Sequence, residues 1–223
     1  MNGVRGKLFE SAVEAVAVVQ DGDTVLVGGF GNAGVPESLI AAVVRHGRGN
    51  LTIVANNCGT GEAGLALLFK HGLVSKVFAS FPSQPGNHHF LSRLNDGTCK
   101  LELVPQGTLV ARLDAAAGGL GGVLTPTGVG TELTAEKEVQ IIGGREYVFD
   151  LPLRGDVALV AAYRADETGN LRYRGSARNF NPLMAMAARI TVAQAVIVGR
   201  PGDIDPDDVH TPGIFVDRVV LAT

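Results

Sequence analysis

Charge is scarce in this chain. Only 18% of its 223 residues are Asp, Glu, Lys or Arg, against roughly a quarter in an ordinary soluble domain. No cluster of Lys and Arg occurs anywhere and the net charge is −3, so nothing is present to neutralise a phosphate backbone, and nucleic acid is excluded as the main partner. Long apolar runs are missing as well. The longest stretches, such as residues 25–27 and 192–198, have strand length and fall far below the ~20 residues of a membrane span, so no membrane role is expected. Cysteine is limited to Cys58 and Cys99, whose spacing is not that of a metal site. Arg5 and Lys7 are not followed by an apolar leader segment. No secretory signal is therefore expected, and two thiols of this kind suit a reducing cytoplasm.

Glycine, by contrast, is abundant, at 30 residues, and apolar residues make up 46% of the chain. The length and apolar content fit a single domain over residues 1–223 with a sizeable core. A Gly-rich chain of low charge either covers part of its exterior with a partner, or brings backbone close to a ligand, or is a loop-rich α/β enzyme. Composition leaves these open.

Hydrophobic periodicity alternates between helical and extended. Helices are predicted over residues 7–19 (Leu8, Ala12, Ala15, Val16 and Val19 on one face), 37–45 behind Pro36, 63–70, 108–117 and 182–189. Short, continuously apolar strands are predicted over 24–27, 51–55, 76–80, 101–104, 157–163, 191–198 and 214–221. Strands of that kind suit a parallel sheet buried on both faces. Residues 139–142 and 145–149 flank Gly143-Gly144, a two-residue hairpin signal. The fold class read from this pattern is α/β: an open, mostly parallel sheet covered by helices on both faces, with a small antiparallel insert.

The most informative segment is Gly28-Gly29-Phe30-Gly31-Asn32-Ala33-Gly34-Val35-Pro36, between the first strand and the next helix. Gly29, Gly31 and Gly34 have the dinucleotide-fingerprint spacing, but the second strand ends in Asn56-Asn57 rather than the acidic residue that would hold a ribose. Glycines at these positions let backbone N–H groups turn toward an anion at a helix amino end, which suits a pyrophosphate or a phosphopantetheine thioester. A tight strand-to-helix turn with no ligand is the other reading.

The residues Asp21-Gly22-x-x-Val25-Leu26-Val27-Gly28-Gly29-Phe30-x-x-x-Gly34-x-Pro36 resemble the N-terminal signature of class I CoA-transferases of the 3-oxoacid type. The resemblance continues through Leu51–Asn57, Val104–Leu109, Thr125–Thr131, Ser176–Asn181 and Thr211–Arg218, so it spans essentially the whole chain and points to the A-type subunit. It implies a hetero-oligomer with a B-type subunit that carries a glutamate nucleophile. CoA and acyl-CoA then act as substrates, with no permanently bound cofactor. It also implies that Gly28, Gly29, Phe30, Gly31, Asn32, Ala33 and Gly34 face CoA, and that Gln106 of Pro105-Gln106-Gly107 donates to a tetrahedral oxyanion. From the residues alone, Gln106 could equally satisfy loop backbone.

Glu62 is the best internal carboxylate, although it fits the start of a helix better than a covalent role. Ser176 lacks a nucleophile elbow. His88-His89, read as part of an extended segment, would point to opposite faces, so no metal site is expected. Phe81-Pro82-Ser83-Gln84-Pro85-Gly86-Asn87 looks like the corresponding loop of the 3-oxoadipate subgroup more than that of the acetoacetate enzymes. The resemblance makes Asn56, Asn57, Phe81, Ser83 and Gln84 candidate substrate contacts and implies a place in β-ketoadipate-type catabolism of aromatic compounds. Ser83 stands where that subgroup has Arg; Arg112, Arg174 and Arg178 are candidates to meet the distal carboxylate of a dicarboxylic 3-oxo acid instead, and each could equally be a surface or interface charge. Acetoacetate transfer, CoA-ester hydrolysis and non-catalytic CoA binding remain as alternatives.

Overall fold

The computed structural model describes residues 6–223. The first half alternates short helices and strands: α1 (Ala12–Ala15), β1 (Thr24–Val27), α2 (Glu37–His46), β2 (Leu51–Ala55), α3 (Ala66–Lys70), β3 (Val74–Ala79), α4 (His88–Asn95), β4 (Lys100–Leu103) and α5 (Gln106–Ala117). An insert follows, made of β5 (Val123–Thr125), β6 (Val139–Ile142) and β7 (Arg145–Asp150). The chain then closes with β8 (Gly155–Asp166), β9 (Leu171–Arg172), α6 (Asn181–Ala187), β10 (Ala188–Gly199) and β11 (Arg218–Leu221).

The main sheet runs β11-β10-β8-β1-β2-β3-β4, with β9 attached to β8. Every pairing in it is parallel except β8 with β9. From β1 the chain builds outward through β2, β3 and β4 on one side, and through β8, β10 and β11 on the other. The strand order therefore reverses between β1 and β8, and in open α/β sheets the crevice at such a reversal is where ligands bind.

Alternate residues of the central strands feed two separate cores. Val25, Val27, Ile53, Ala55, Val77 and Ala79 pack with buried residues of α1 to α4. Leu26, Val54, Ala158 and Val160 pack with α5 and α6 on the opposite face. Helices thus cover both faces, as the continuous apolar strands require. The insert is a three-stranded antiparallel sheet, β5-β7-β6, closed by Gly143 and Gly144, both at positive φ (58° and 76°), as a primed two-residue turn demands. Among the described residues, no helix is long and apolar enough to cross a membrane.

Several boundaries differ from the sequence reading, four of them for reasons visible in the local structure. Residues 7–10 are not helical: Phe9 N–H donates to Val219 O at 2.8 Å and Val219 N–H to Lys7 O at 2.7 Å, so this segment lies along β11. The helix begins only where Ser11 Oγ accepts from Glu14 N–H, the first half of a Ser-x-x-Glu capping box. The predicted helix 63–70 is confined to Ala66–Lys70, because Gly64 sits at φ +53°. The helix predicted to reach residue 189 stops at Ala187, where β10 takes over. The closing strand starts at Arg218, after a single 3₁₀ turn at Gly213–Phe215.

Candidate functional site at the carboxyl edge of the sheet

The segments singled out in the sequence all emerge from the carboxyl ends of neighbouring parallel strands. The glycine loop leaves β1, Asn56-Asn57 follow β2, Phe81 to Gln84 follow β3, and Gln106 follows β4.

The glycine loop folds back on itself. Phe30 and Ala33 exchange backbone hydrogen bonds, each 3.0 Å, and Gly28 N–H donates to Leu159 O of β8 at 2.9 Å. Three asparagines then pin its carbonyls: Asn57 Nδ2 donates to Gly31 O (3.2 Å), Asn179 Nδ2 to Ala33 O (3.0 Å) and Asn181 Nδ2 to Gly34 O (3.0 Å). The glycines divide by purpose. A Cβ on Gly28 would fall 1.9 Å from Asn181 Oδ1, and one on Gly34 would fall 2.6 Å from Ala177 O. These two therefore admit the 177–181 segment rather than a ligand. Gly31 has nothing within 4 Å of its Cβ position, and among the described residues its N–H and that of Asn32 find no backbone acceptor. The tip of the turn, not the whole loop, is open to an anionic group. A cavity of about 160 Å³ opens beside it, lined by Gly31, Asn32, Val35, Asn57, Thr60 and Gly64.

The amino end of α2 is less available than its position suggests. Gln194 of β10 reaches across to accept from Leu39 N–H (3.2 Å), and Glu37 N–H is held by Val35 O (3.0 Å). The dipole remains, but part of its donor set is already used.

Asn56 and Asn57 are both buried. Asn56 Nδ2 donates to Ser80 Oγ (3.0 Å), while Asn57 Oδ1 accepts from Gly59 N–H (2.8 Å). Asn56 O accepts from Phe81 N–H at 2.8 Å, so the pair braces the β2 and β3 loops, with only Asn57 on the cavity wall. Phe81 is 61% exposed, Ser83 is exposed and Gln84 is half-buried.

Gln106 is the first residue of α5, two positions earlier than that helix was expected to begin, with Pro105 as N-cap. Its side chain is exposed and makes no hydrogen bond among the described residues. The amide is therefore uncommitted at the carboxyl edge and does not satisfy loop backbone.

Glu62 is also exposed. Lys70 Nζ donates to its Oε2 at 2.6 Å, and His89 and His88 place Nε2 at 2.8 and 3.3 Å from Oε1. The Lys70 hydrogen bond first, then that from His89, lowers its pKa to about 2. A carboxylate so stabilised is a weak nucleophile. The two histidines correct the sequence reading directly: they open α4, a helix the periodicity missed, and their rings lie 4.1 Å apart, facing the same partner.

The arginines separate as well. Arg112 is buried in α5, where Nε donates to Leu151 O (2.7 Å) and Nη1 to Glu102 (3.3 Å), with Asp150 at 3.8 Å. It staples the insert to the main sheet, and its Nε and Nη1 donors are committed inside the fold. Replacing Arg112 by Met is expected to destabilise the fold by ~2 kcal/mol, below the usual cost of breaking a buried pair because Lys137 still holds Asp150 at 2.6 Å. Urea unfolding measures this, and the KM for the acid substrate should stay unchanged. Arg174 and Arg178 are exposed, on the segment whose Asn179 and Asn181 hold the glycine loop. Arg174 lies over the Tyr163 ring at 5.2 Å, and neither arginine forms an ion pair among the described residues.

Sequence inspection assigned no role to Asn179 or Asn181. The available signal was two amides flanking Phe180, whose ring stacks on Phe30 at a centroid distance of 6.5 Å.

An open parallel sheet with a cavity and an uncommitted amide along one carboxyl edge, next to a topological switch point, defines an α/β protein of the class whose ligands bind in such a crevice. The Coenzyme A transferase family model matches residues 9–222, and the chain belongs to that family. It is 50% identical over 214 residues to the A-type subunit of the 3-oxoadipate CoA-transferase of Acinetobacter baylyi, covering 96% of this chain and 94% of that protein. It is also 46% identical over 216 residues to a Bacillus subtilis protein, the A-type subunit of a probable succinyl-CoA:3-ketoacid coenzyme A transferase, covering 97% and 90%. The crystal structure of glutaconate coenzyme A-transferase from Acidaminococcus fermentans superposes with a TM-score of 0.87 at 24% identity, over 97% of this chain and 75% of that one. That likeness carries the fold alone.

Proposed function

We propose that this chain is the A-type subunit of a succinyl-CoA:3-oxoacid CoA-transferase whose acceptor is 3-oxoadipate, working in the cytoplasm with a B-type subunit that supplies the nucleophilic glutamate. The observation that carries this reading is the alignment of the glycine turn, the β3 loop and Gln106 on one sheet edge, in a chain whose sequence matches a 3-oxoadipate transferase subunit over 96% of its length. The locked state of Glu62 supports a nucleophile from elsewhere. Exposed apolar side chains on the insert and just after it, Ile141 at 71% and Leu151 at 63%, support a covering partner.

In this mechanism the partner's carboxylate attacks the acyl-CoA carbonyl, expelling CoA thiolate and leaving an acyl-glutamyl anhydride. The thiolate attacks the glutamyl carbonyl, releasing the first acid and forming a glutamyl-CoA thioester. The acceptor carboxylate then repeats both steps in reverse. Each step passes through an oxyanion that the Gln106 amide stabilises. CoA phosphates meet the open N–H groups of Gly31 and Asn32, while Arg174 or Arg178 takes the distal carboxylate in place of the arginine absent at Ser83.

Co-expression with the B-type subunit, followed by assay of succinyl-CoA with 3-oxoadipate and with acetoacetate, tests the assignment. Faster turnover with 3-oxoadipate is expected, and loss of that turnover in Arg174→Ala or Arg178→Ala identifies the cation. Turnover of acetoacetate alone would shift the chain to the 3-ketoacid relatives. Thioester loss to water without an acceptor would make it a hydrolase, and CoA binding without turnover a binding module.

A further inference from the structure

The loops after β2 and β3 bring together one cluster that the glycine-turn site does not use. Glu62 lies on the first loop, and His88 and His89 open α4 after the second. We propose that Glu62, His88 and His89 form a binding site for a borderline divalent transition-metal ion of the Zn²⁺ or Co²⁺ class.

The three ligand atoms lie within 4.8 Å of one another. Glu62 Oε1 is 2.8 Å from His89 Nε2 and 3.3 Å from His88 Nε2. Metal–ligand bonds of about 2.0–2.1 Å place neighbouring ligands of a tetrahedron about 3.3 Å apart, so two of the three edges already lie within about half an ångström of that length. The third edge closes by rotating exposed or half-buried imidazoles, which costs little packing. Two imidazoles and one carboxylate are the donor set of borderline ions rather than of Mg²⁺ or Ca²⁺.

Lys70 holds Oε2 at 2.6 Å. It therefore orients the carboxylate from behind and leaves Oε1 to the metal, the usual task of an outer-sphere partner. Glu62 and His88 are exposed, so a fourth position is open to water. The Lys70 ammonium and the amino end of α4 both oppose a cation, which sets the expected affinity in the micromolar class. The ion would bridge two loops that already share a hydrogen bond, Gly61 N–H to Gly86 O at 2.8 Å. Both loops flank the crevice, so its first effect is to rigidify that edge.

The test is titration of the tag-free chain, stripped with chelator, by Zn²⁺ in a calorimeter and by Co²⁺ followed in the visible spectrum. One equivalent per chain, d–d bands of a low-coordinate Co²⁺ centre and a raised Tm with metal are expected. Glu62→Gln and His89→Ala should each weaken binding at least tenfold, while His71→Ala leaves it unchanged. These side chains are outside the core, and circular dichroism confirms that the variants fold. No saturable binding below about 100 µM metal, or wild-type affinity in both ligand variants, overturns the site and leaves the cluster as a hydrogen-bonded clamp. Neither result depends on the transferase assignment.

Discussion

Gln106→Ala should reduce transferase turnover by about 10²–10³-fold, the usual cost of deleting one oxyanion donor, with little change in acyl-CoA KM. The residue's setting makes the experiment clean. Gln106 is exposed at the first position of α5 and its amide makes no hydrogen bond among the described residues, so its removal should alter stability by no more than ~0.5 kcal/mol. An amide that supports the loop would behave in the opposite way, losing stability first and activity second. The helix start matters as well. Gln106 sits where the α5 dipole is positive, so backbone and side chain favour the same developing charge. Gln106→Glu should therefore be at least as damaging as the alanine variant, since it places a negative charge against an oxyanion. Steady-state kinetics of the co-expressed complex checks both. A near-normal kcat in Gln106→Ala would remove it from the chemistry.

Much of the fold was readable because parallel strands buried on both faces leave little room for polar residues. The runs Val25–Val27 of β1 and Ile53–Ala55 of β2 appear in the sequence as uninterrupted apolar segments, and Gly143-Gly144 announces the insert's hairpin through positive φ alone. Elements decided by distant partners were harder to see. Residues 7–10 have acceptable helical periodicity, yet the free edge of β11 offers them backbone bonds that no local pattern records. Helix α4 was missed because a His-His pair after a proline-rich loop gives no strong period. Its identity is fixed instead by Phe90 packing edge-on against Phe69 of α3, with ring centroids 5.3 Å apart. The site was legible as a set of segments at strand ends, since that follows from topology. How its atoms are divided was not. Nothing local distinguishes Gly31, which faces open space, from Gly28 and Gly34, which face Asn181 and the 177–181 backbone. Arg112 likewise looked as available as Arg174 until the insert folded over it.

The loop's dependence on Asn181 leads to the largest expected stability effect. Asn181 is fully buried. Its Oδ1 accepts from Ala161 N–H (2.9 Å), and its Nδ2 donates to Gly34 O (3.0 Å) and Ala177 O (2.9 Å). One side chain thus joins β8, the glycine loop and the turn before α6. Asn181→Leu keeps the branched shape, adds some bulk, and strands one N–H and two carbonyls of half-buried residues. At roughly 1–3 kcal/mol per unsatisfied group the expected loss is about 3–6 kcal/mol, a large part of the ~5–15 kcal/mol that holds a domain folded. Gly28→Ala should cost about 2–3 kcal/mol by overpacking, because the new Cβ would fall 1.9 Å from Asn181 Oδ1. The two sites share that one atom, so their effects cannot be independent. Shortening Asn181 to alanine removes the atom with which the new methyl collides. In that background Gly28→Ala should cost at least ~1 kcal/mol less than it does alone. Urea unfolding of the four members of the cycle gives the coupling directly. Additive costs would mean that Gly28 is glycine for a reason other than the approach of Asn181, and the glycine loop would lose its proposed anchor.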